Sequence, residues 1–219
     1  MNAPRRLIVF DLDGTLVDSR RDLAASMNEL LVANGAAPMA EAAIGRLVGD
    51  GAATLVARAF AAAGRQPPPD ALDRFVAIYN DHLLDHTRPY PRIPEVLDAL
   101  RPRAALAVLT NKPLAATRRV LAGLDLARFF PDDRIVGGDG PFARKPDPAG
   151  LQYLMAQASA SPAETTLVGD SIIDWRTARN ASAGVCLVRY GFGFEGFPIE
   201  ELRGSEAVVD SPEALIDTL

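Results

Sequence analysis

Short apolar runs, most of them rich in β-branched residues and closed by turn residues, recur along the chain at residues 7–10, 106–109, 134–136, 166–168, 185–188 and, more weakly, 207–209. They lack the strict apolar–polar alternation of a half-wetted strand. Each reads as a strand buried on both faces, as in a parallel sheet. Helical patterns over 93–101, 113–124, 148–159 and 174–182 fall between most of them. Strands alternating with helices predict right-handed βαβ crossovers and a doubly wound, Rossmann-like α/β layer.

The first connection breaks this rhythm. Nearly the whole stretch between the first and second predicted strands is patterned for helices, near 20–33, 40–48, 52–63 and 70–86, with no convincing strand. Gly35 with Pro38, Gly49-Asp50-Gly51 and the run 64–69 punctuate it. A structureless loop of that length is uncommon in a compact domain. The expected organisation is therefore an α/β core made of 1–16 and 87–219, carrying an inserted all-helical cap from 17 to 86. Asp18-Ser19 and residues 87–91 would be its hinges.

Composition narrows the class. The chain has 219 residues, is 48% hydrophobic and carries a net charge of −5, which excludes a disordered chain. The mild acidity and the lack of a basic block argue against nucleic acid as a partner. No apolar run nears the about 18 residues of a membrane helix. The apolar stretch before Asp11 is too short for the core of a leader peptide. Cys186 is the one cysteine, so no intrachain disulfide or thiol metal cluster is possible. These features predict a cytoplasmic protein without a membrane partner, as a monomer or homodimer. Arginine supplies all but two of the 23 basic residues, the exceptions being Lys112 and Lys145.

In an open parallel sheet, ligands bind beyond the carboxyl ends of the strands. The segments following four predicted strands are Asp11-Leu12-Asp13-Gly14-Thr15, Thr110-Asn111-Lys112-Pro113, Arg144-Lys145-Pro146-Asp147 and Gly169-Asp170-Ser171-Ile172-Ile173-Asp174. Singly, each has a plain structural reading. Asp11 and Asp13 could end a strand; Thr110, Asn111, Asp170 or Asp174 could cap a helix; Lys145 could be a solvated loop cation. Together they gather carboxylates at one edge, where two charges about 4 Å apart repel by ~4 kcal/mol at an effective dielectric near 20. A hard cation with oxygen ligands, aided by Lys145, would neutralise them. Mg²⁺ fits this donor set best.

The run 10–19, Thr110-Asn111, Lys145-Pro146 and Gly169-Asp170-Ser171-x-x-Asp174 resemble, in order, the four motifs of the haloacid dehalogenase superfamily of phosphatases. The resemblance spans essentially the whole chain, including a helical cap after the first motif. Leu109–Pro113, Gly137-Gly138-Asp139 and Arg189-Tyr190-Gly191-Phe192 are most similar to the phosphoglycolate phosphatases. The resemblance implies an Mg²⁺-dependent phosphatase of a small phosphorylated metabolite, 2-phosphoglycolate foremost. Asp11 would be the nucleophile and form an aspartyl-phosphate. Asp13 would protonate the leaving oxygen and then take a proton from water, with neighbouring carboxylates favouring its neutral form. Lys145 would offset charge on the transferring group. Thr110, Asn111 and Gly14 would border the phosphoryl oxygens. The metal would be held by Asp11, the Asp13 backbone carbonyl, Asp170 and Asp174, the last directly or through water.

The remaining candidates have modest expected roles. Lys112 is read as a surface cation and the 49–51 loop as facing the active site. Arg46 and Arg58 would lie on solvated helix faces, with contact to a substrate carboxylate as the alternative. His82 and His86, spaced i and i+4, would stabilise a helix C-terminus rather than bind metal. Cys186 would be buried in its strand, and Trp175 would fill space beneath the metal site. Arg92 takes a position where the resembled family often has glycine. Without a lysine between 17 and 86, the chain cannot use the Schiff-base chemistry of the carbon–phosphorus-cleaving branch, and Asp13 argues against the dehalogenase branch. Phosphatases for other metabolites such as sugar phosphates, a phosphomutase on the same core, and a non-enzymatic phospho-aspartate signalling module are the alternative functions. The insertion at 17–86 speaks against the signalling module.

Overall fold

A computed structural model describes residues 6–219; Met1–Arg5, the head of the stretch weighed as a leader, lie outside the described residues. The elements run β1 (Arg6–Phe10), β2 (Val17–Asp18), α1 (Arg20–Ala33), α2 (Glu41–Gly45), α3 (Ala52–Ala62), α4 (Ala71–Asp81), β3 (Arg88–Pro89) and α5 (Ile93–Leu100). They continue with β4 (Ala104–Leu109), α6 (Leu114–Gly123), β5 (Ile135–Val136), α7 (Ala149–Ala158), β6 (Thr165–Gly169), α8 (Ile172–Asn180), β7 (Gly184–Val188), β8 (Ala207–Val209) and α9 (Ala214–Thr218). All six strands expected from the apolar runs form one parallel sheet, ordered β5-β4-β1-β6-β7-β8.

The pleat explains why both strand faces are apolar. Ile8 and Phe10 point to the side covered by α5, α6 and α9, where Val96, Leu97, Val120 and Leu215 are buried. Leu7 and Val9 point to the opposite side, against Leu151, Leu154 and Met155 of α7 and Ala178 of α8. Alternate residues of one strand thus feed two separate cores. This is the doubly wound α/β fold the pattern predicts.

Register then aligns the strand ends. Phe10 pairs with Val108 on one side and with Val168 on the other. The residues just beyond β1, β4 and β6 therefore emerge side by side. Chain order reverses about β1, which makes this edge the topological switch point where such sheets bind ligands.

Helices α1 to α4 lie between β2 and β3 and pack on one another through Leu23, Met27, Leu30, Ile44, Leu55, Phe60 and Phe75. The expectation of no strand around this stretch needs a correction at its ends. Val17 pairs with Pro89 and Asp18 with Arg88 in a two-residue antiparallel ribbon where the chain leaves and returns. Two residues are too few to leave a hydrophobic period in sequence. Helix α4 also stops at Asp81, short of the expected 86. Beyond it the chain turns so that the His86 and Thr87 N–H groups and the Thr87 hydroxyl donate to the buried carboxylate of Asp22 on α1, at 2.7–3.0 Å.

Candidate active site

Asp11 follows β1 directly, with its backbone N–H on the Val168 carbonyl at 2.9 Å. Lys145, from the loop before α7, places its ammonium 2.8 Å from Asp11 Oδ1 and 2.6 Å from Asp174 Oδ1. Oxygens of Asp11, Asp170 and Asp174, all buried, lie within 4.8 Å of one another and could hold a metal ion. Three carboxylates around one ammonium leave negative charge uncompensated in a buried site, and an all-oxygen donor set suits a hard divalent cation.

The neighbours of each group set its proton affinity. Burial raises the Asp11 carboxyl, Lys145 pulls it back, Asp174 pushes it up again, and the balance moves it from 3.8 to about 6. Burial, then Asp174 and Asp11, hold Asp170 well above the ordinary carboxylate range. For Lys145 burial opposes the charge, but Asp11 and Asp174 outweigh it and raise the ammonium above its usual value.

The local turns are fitted to these side chains. Gly14 has φ +90°, and a Cβ there would stand inside the Asp170 carboxylate. Asp170 Oδ2 accepts the Gly193 N–H at 2.7 Å, and a Cβ at Gly191 or Gly193 would run into the Asp170 side chain. Asp174 serves twice. Its Oδ2 completes a capping box at the start of α8, accepting from the Ser171 N–H and hydroxyl, while its Oδ1 holds Lys145. Thr110 and Asn111 do not cap α6. The N–H of Leu114 goes instead to the Asp139 carboxylate at 2.7 Å, and the Gly138 N–H to the Lys112 carbonyl.

Asp13 departs from its expected surroundings. It is not grouped with the other three carboxylates; its partners are the Ser19 hydroxyl at 2.6 Å and the Lys112 ammonium at 3.0 Å. Lys112 is therefore not a surface cation. It is buried, and besides Asp13 it donates to the Tyr79 hydroxyl on α4 at 2.6 Å. Burial opposes its charge, yet Asp13 and Tyr79 raise its proton affinity above the usual value, while burial pushes the Tyr79 hydroxyl up to about 12. Sequence pattern missed Tyr79 altogether because it sits on the helical period of α4 and reads as core. The signal for Lys112 was present: it is one of only two lysines in a chain that otherwise uses arginine.

Asp11, Asp13, Thr110, Asn111, Lys112 and Asp170 line one side of a cavity of about 240 Å³ beneath α1, α3 and α4. The Thr110 hydroxyl accepts the Lys112 N–H at 3.2 Å. The Asn111 side-chain amide donates to the carbonyls of Gly49 and Lys145, tying the 49–51 loop to the Lys145 loop. Gly49 and Gly51 line the cavity as expected.

Other expectations resolve simply. Arg46 pairs with Glu195 and Arg58 with Asp50, both half-exposed and outside the cavity lining. The His82 ring bonds to the Asp85 carboxylate rather than to the last carbonyls of α4. Cys186 is fully buried. Trp175 is not beneath the carboxylates. It packs with Leu187 and Phe197 and donates to Glu206, because α8 turns that face toward the outer strands. Arg92 adopts φ +70°, a left-handed conformation that favours glycine.

A family model for haloacid dehalogenase-like hydrolase matches residues 8–188. The chain belongs to that family. It is 41% identical to the phosphoglycolate phosphatase of Rhodospirillum rubrum over 98% of this chain and 90% of that one. Against the phosphoglycolate phosphatase of Agrobacterium fabrum it is 38% identical, covering 97% and 91%. The crystal structure of a predicted phosphoglycolate phosphatase from Haemophilus somnus superposes with a TM-score of 0.87 at 30% identity over the whole of both chains. The family and these relatives make this haloacid dehalogenase-like hydrolase a phosphoric monoester hydrolase. No described helix is long and apolar enough to cross a membrane.

Proposed function

We propose that this hydrolase cleaves 2-phosphoglycolate to glycolate and phosphate, with Asp11 as nucleophile and Mg²⁺ as cofactor. The observation that carries the reading is the meeting of Asp11, Asp13, Lys145 and Asp170, from three separate loops, at the switch-point edge under one cavity. The names of the relatives support the substrate. So does the far wall of the cavity, which is mainly apolar and gives a sugar few hydroxyl partners.

Asp11 and Asp170 would hold the ion, together with the Asp13 backbone carbonyl. Asp174, whose oxygens already serve Lys145 and Ser171, would act through water. Bound there, Mg²⁺ supplies positive charge against the phosphoryl oxygens. An Asp11 oxygen forms a bond to phosphorus as the bond to the ester oxygen breaks. Asp13, protonated when the substrate is bound, gives that oxygen its proton and returns to the carboxylate that Ser19 and Lys112 hold here, and glycolate leaves. Water then attacks phosphorus, passing a proton to Asp13, and phosphate departs with Asp11 restored. Lys145, fixed by Asp174, keeps Asp11 in line and offsets charge building on the phosphoryl group. The helical unit 17–86 would act as a cap that excludes bulk water while it is closed.

The test is phosphate release from a panel of phosphate monoesters with Mg²⁺ and with EDTA. We expect 2-phosphoglycolate to lead the panel, EDTA to abolish turnover, and Asp11→Asn to remain folded with essentially no activity. Activity of Asp11→Asn within tenfold of the unaltered protein would overturn the nucleophile.

A further inference from the structure

The buried pair Lys112–Tyr79 has no part in the phosphoryl chemistry above, yet both side chains line the cavity. Lys112 is the one cation in that lining among the described residues, since Lys145 is enclosed between Asp11 and Asp174. Its ammonium approaches both Asp13 oxygens, at 3.0 and 3.1 Å, and donates to the Tyr79 hydroxyl at 2.6 Å. Because Tyr79 accepts that bond, its own proton has no acceptor among the described residues. A phenol O–H and an ammonium side by side match an acceptor with two oxygens and one negative charge. Around them the lining is apolar, with Leu23, Phe75 and Val76.

The geometry points to Lys112 and Tyr79 as the subsite for a carboxylate on the leaving group of the substrate. Asp13 addresses the ester oxygen, and Lys112 touches Asp13. A carboxylate separated from that oxygen by a single methylene falls within reach of Lys112 and the Tyr79 O–H. An uncharged group at that place would leave the phenol proton unpaired and the ammonium with Asp13 as its one charged partner. Lys112 comes from the core and Tyr79 from α4 of the helical unit, so the carboxylate would add to the hydrogen bond that already joins the two. The inference rests on the 2-phosphoglycolate reading and names the residues that would enforce it.

The test compares kcat/KM for 2-phosphoglycolate with that for ethyl phosphate, in which a methyl group replaces the carboxylate. The unaltered protein, Lys112→Met, Lys112→Arg and Tyr79→Phe are measured with Mg²⁺. We expect a clear preference for 2-phosphoglycolate that Lys112→Met reduces by at least about tenfold and Lys112→Arg partly restores, the size of a lost charged hydrogen bond. Tyr79→Phe keeps the ring and should raise KM for 2-phosphoglycolate several-fold more than KM for ethyl phosphate. If Lys112→Met lowers both substrates by one factor, Lys112 only positions Asp13 and the subsite is refuted. Should Lys112→Met not fold, an unchanged preference in Tyr79→Phe refutes it equally. If the unaltered protein shows no preference for the carboxylated ester, the substrate reading itself fails, an outcome distinct from a preference that survives both substitutions.

Discussion

On the sheet side of the cavity, most polar side chains are tied down. Lys145 is locked between two carboxylates, Asp170 by the Gly193 N–H, Asp13 by Ser19 and Lys112, and Asn111 by two carbonyls. On the helix side, Leu23, Val48, Leu55, Phe75 and Val76 present apolar surface, and Tyr79 is the side chain that reaches across to a core cation. The sheet edge fixes charges where a reaction develops charge, and it can do so because strand register leaves its loops little freedom. The helices need only exclude water and admit one shape, so nearly any well-packed apolar set serves. Reaction type should therefore depend on the edge, and substrate choice on the roof together with Lys112, the edge residue that Tyr79 meets.

The largest effects should come from the edge. Lys145→Met should lower kcat by about a thousandfold or more, and should destabilise the protein by roughly 3–5 kcal/mol in EDTA by leaving Asp11 and Asp174 buried and unpaired. Phosphate release and denaturant unfolding read the two effects. Gly14→Ala should cost several kcal/mol and most of the activity, since its Cβ would displace Asp170 at a positive φ. Asp22→Ala sharpens the contrast from the helical side. It orphans the His86 and Thr87 donors and should lower stability by roughly 2–4 kcal/mol, while changing kcat/KM far less than either edge variant.

The pH dependence follows from Asp11. Its folded value, raised from 3.8 to about 6, means that the metal-free folded state holds more protons than the unfolded chain across that window. Stability contributed by this group is therefore present at the acid end and lost as pH rises from about 4 to about 6. Mg²⁺ competes with the proton, so its affinity should weaken below about pH 6 and its binding should release protons, as titration calorimetry in two buffers would show. The smallest effect lies outside both regions. Arg92→Gly relieves a left-handed arginine whose ion pairs with Glu95 and Glu213 are exposed, and should raise stability by about 1 kcal/mol with no change in turnover.

The same contrast governs what could be read from sequence. The strands were legible from their apolar runs and Asp11, Asp13, Asp170 and Asp174 from following two of them closely, while Lys145, farther from its strand, was marked by the motif resemblance and by the scarcity of lysine. The two-residue ribbon at 17–18 and 88–89 was not, being shorter than any period. The brace made by Asn111 and the anchor made by Asp22 join positions more than sixty residues apart, a pairing that no local pattern encodes. Tyr79 was hidden by its own regularity: with Ala71 and Phe75 it forms an i, i+4 stripe, and only the fold shows that the end of that stripe meets Lys112.

The account stands or falls on a covalent bond between phosphorus and Asp11. Borohydride reduction of the protein quenched during steady turnover of 2-phosphoglycolate, followed by peptide mass spectrometry, converts an acyl phosphate into homoserine at its own position. Homoserine at position 11, dependent on Mg²⁺ and on substrate, is the predicted result. An unmodified position 11 under full turnover, or reduction at Asp13 or Asp170 instead, would contradict it.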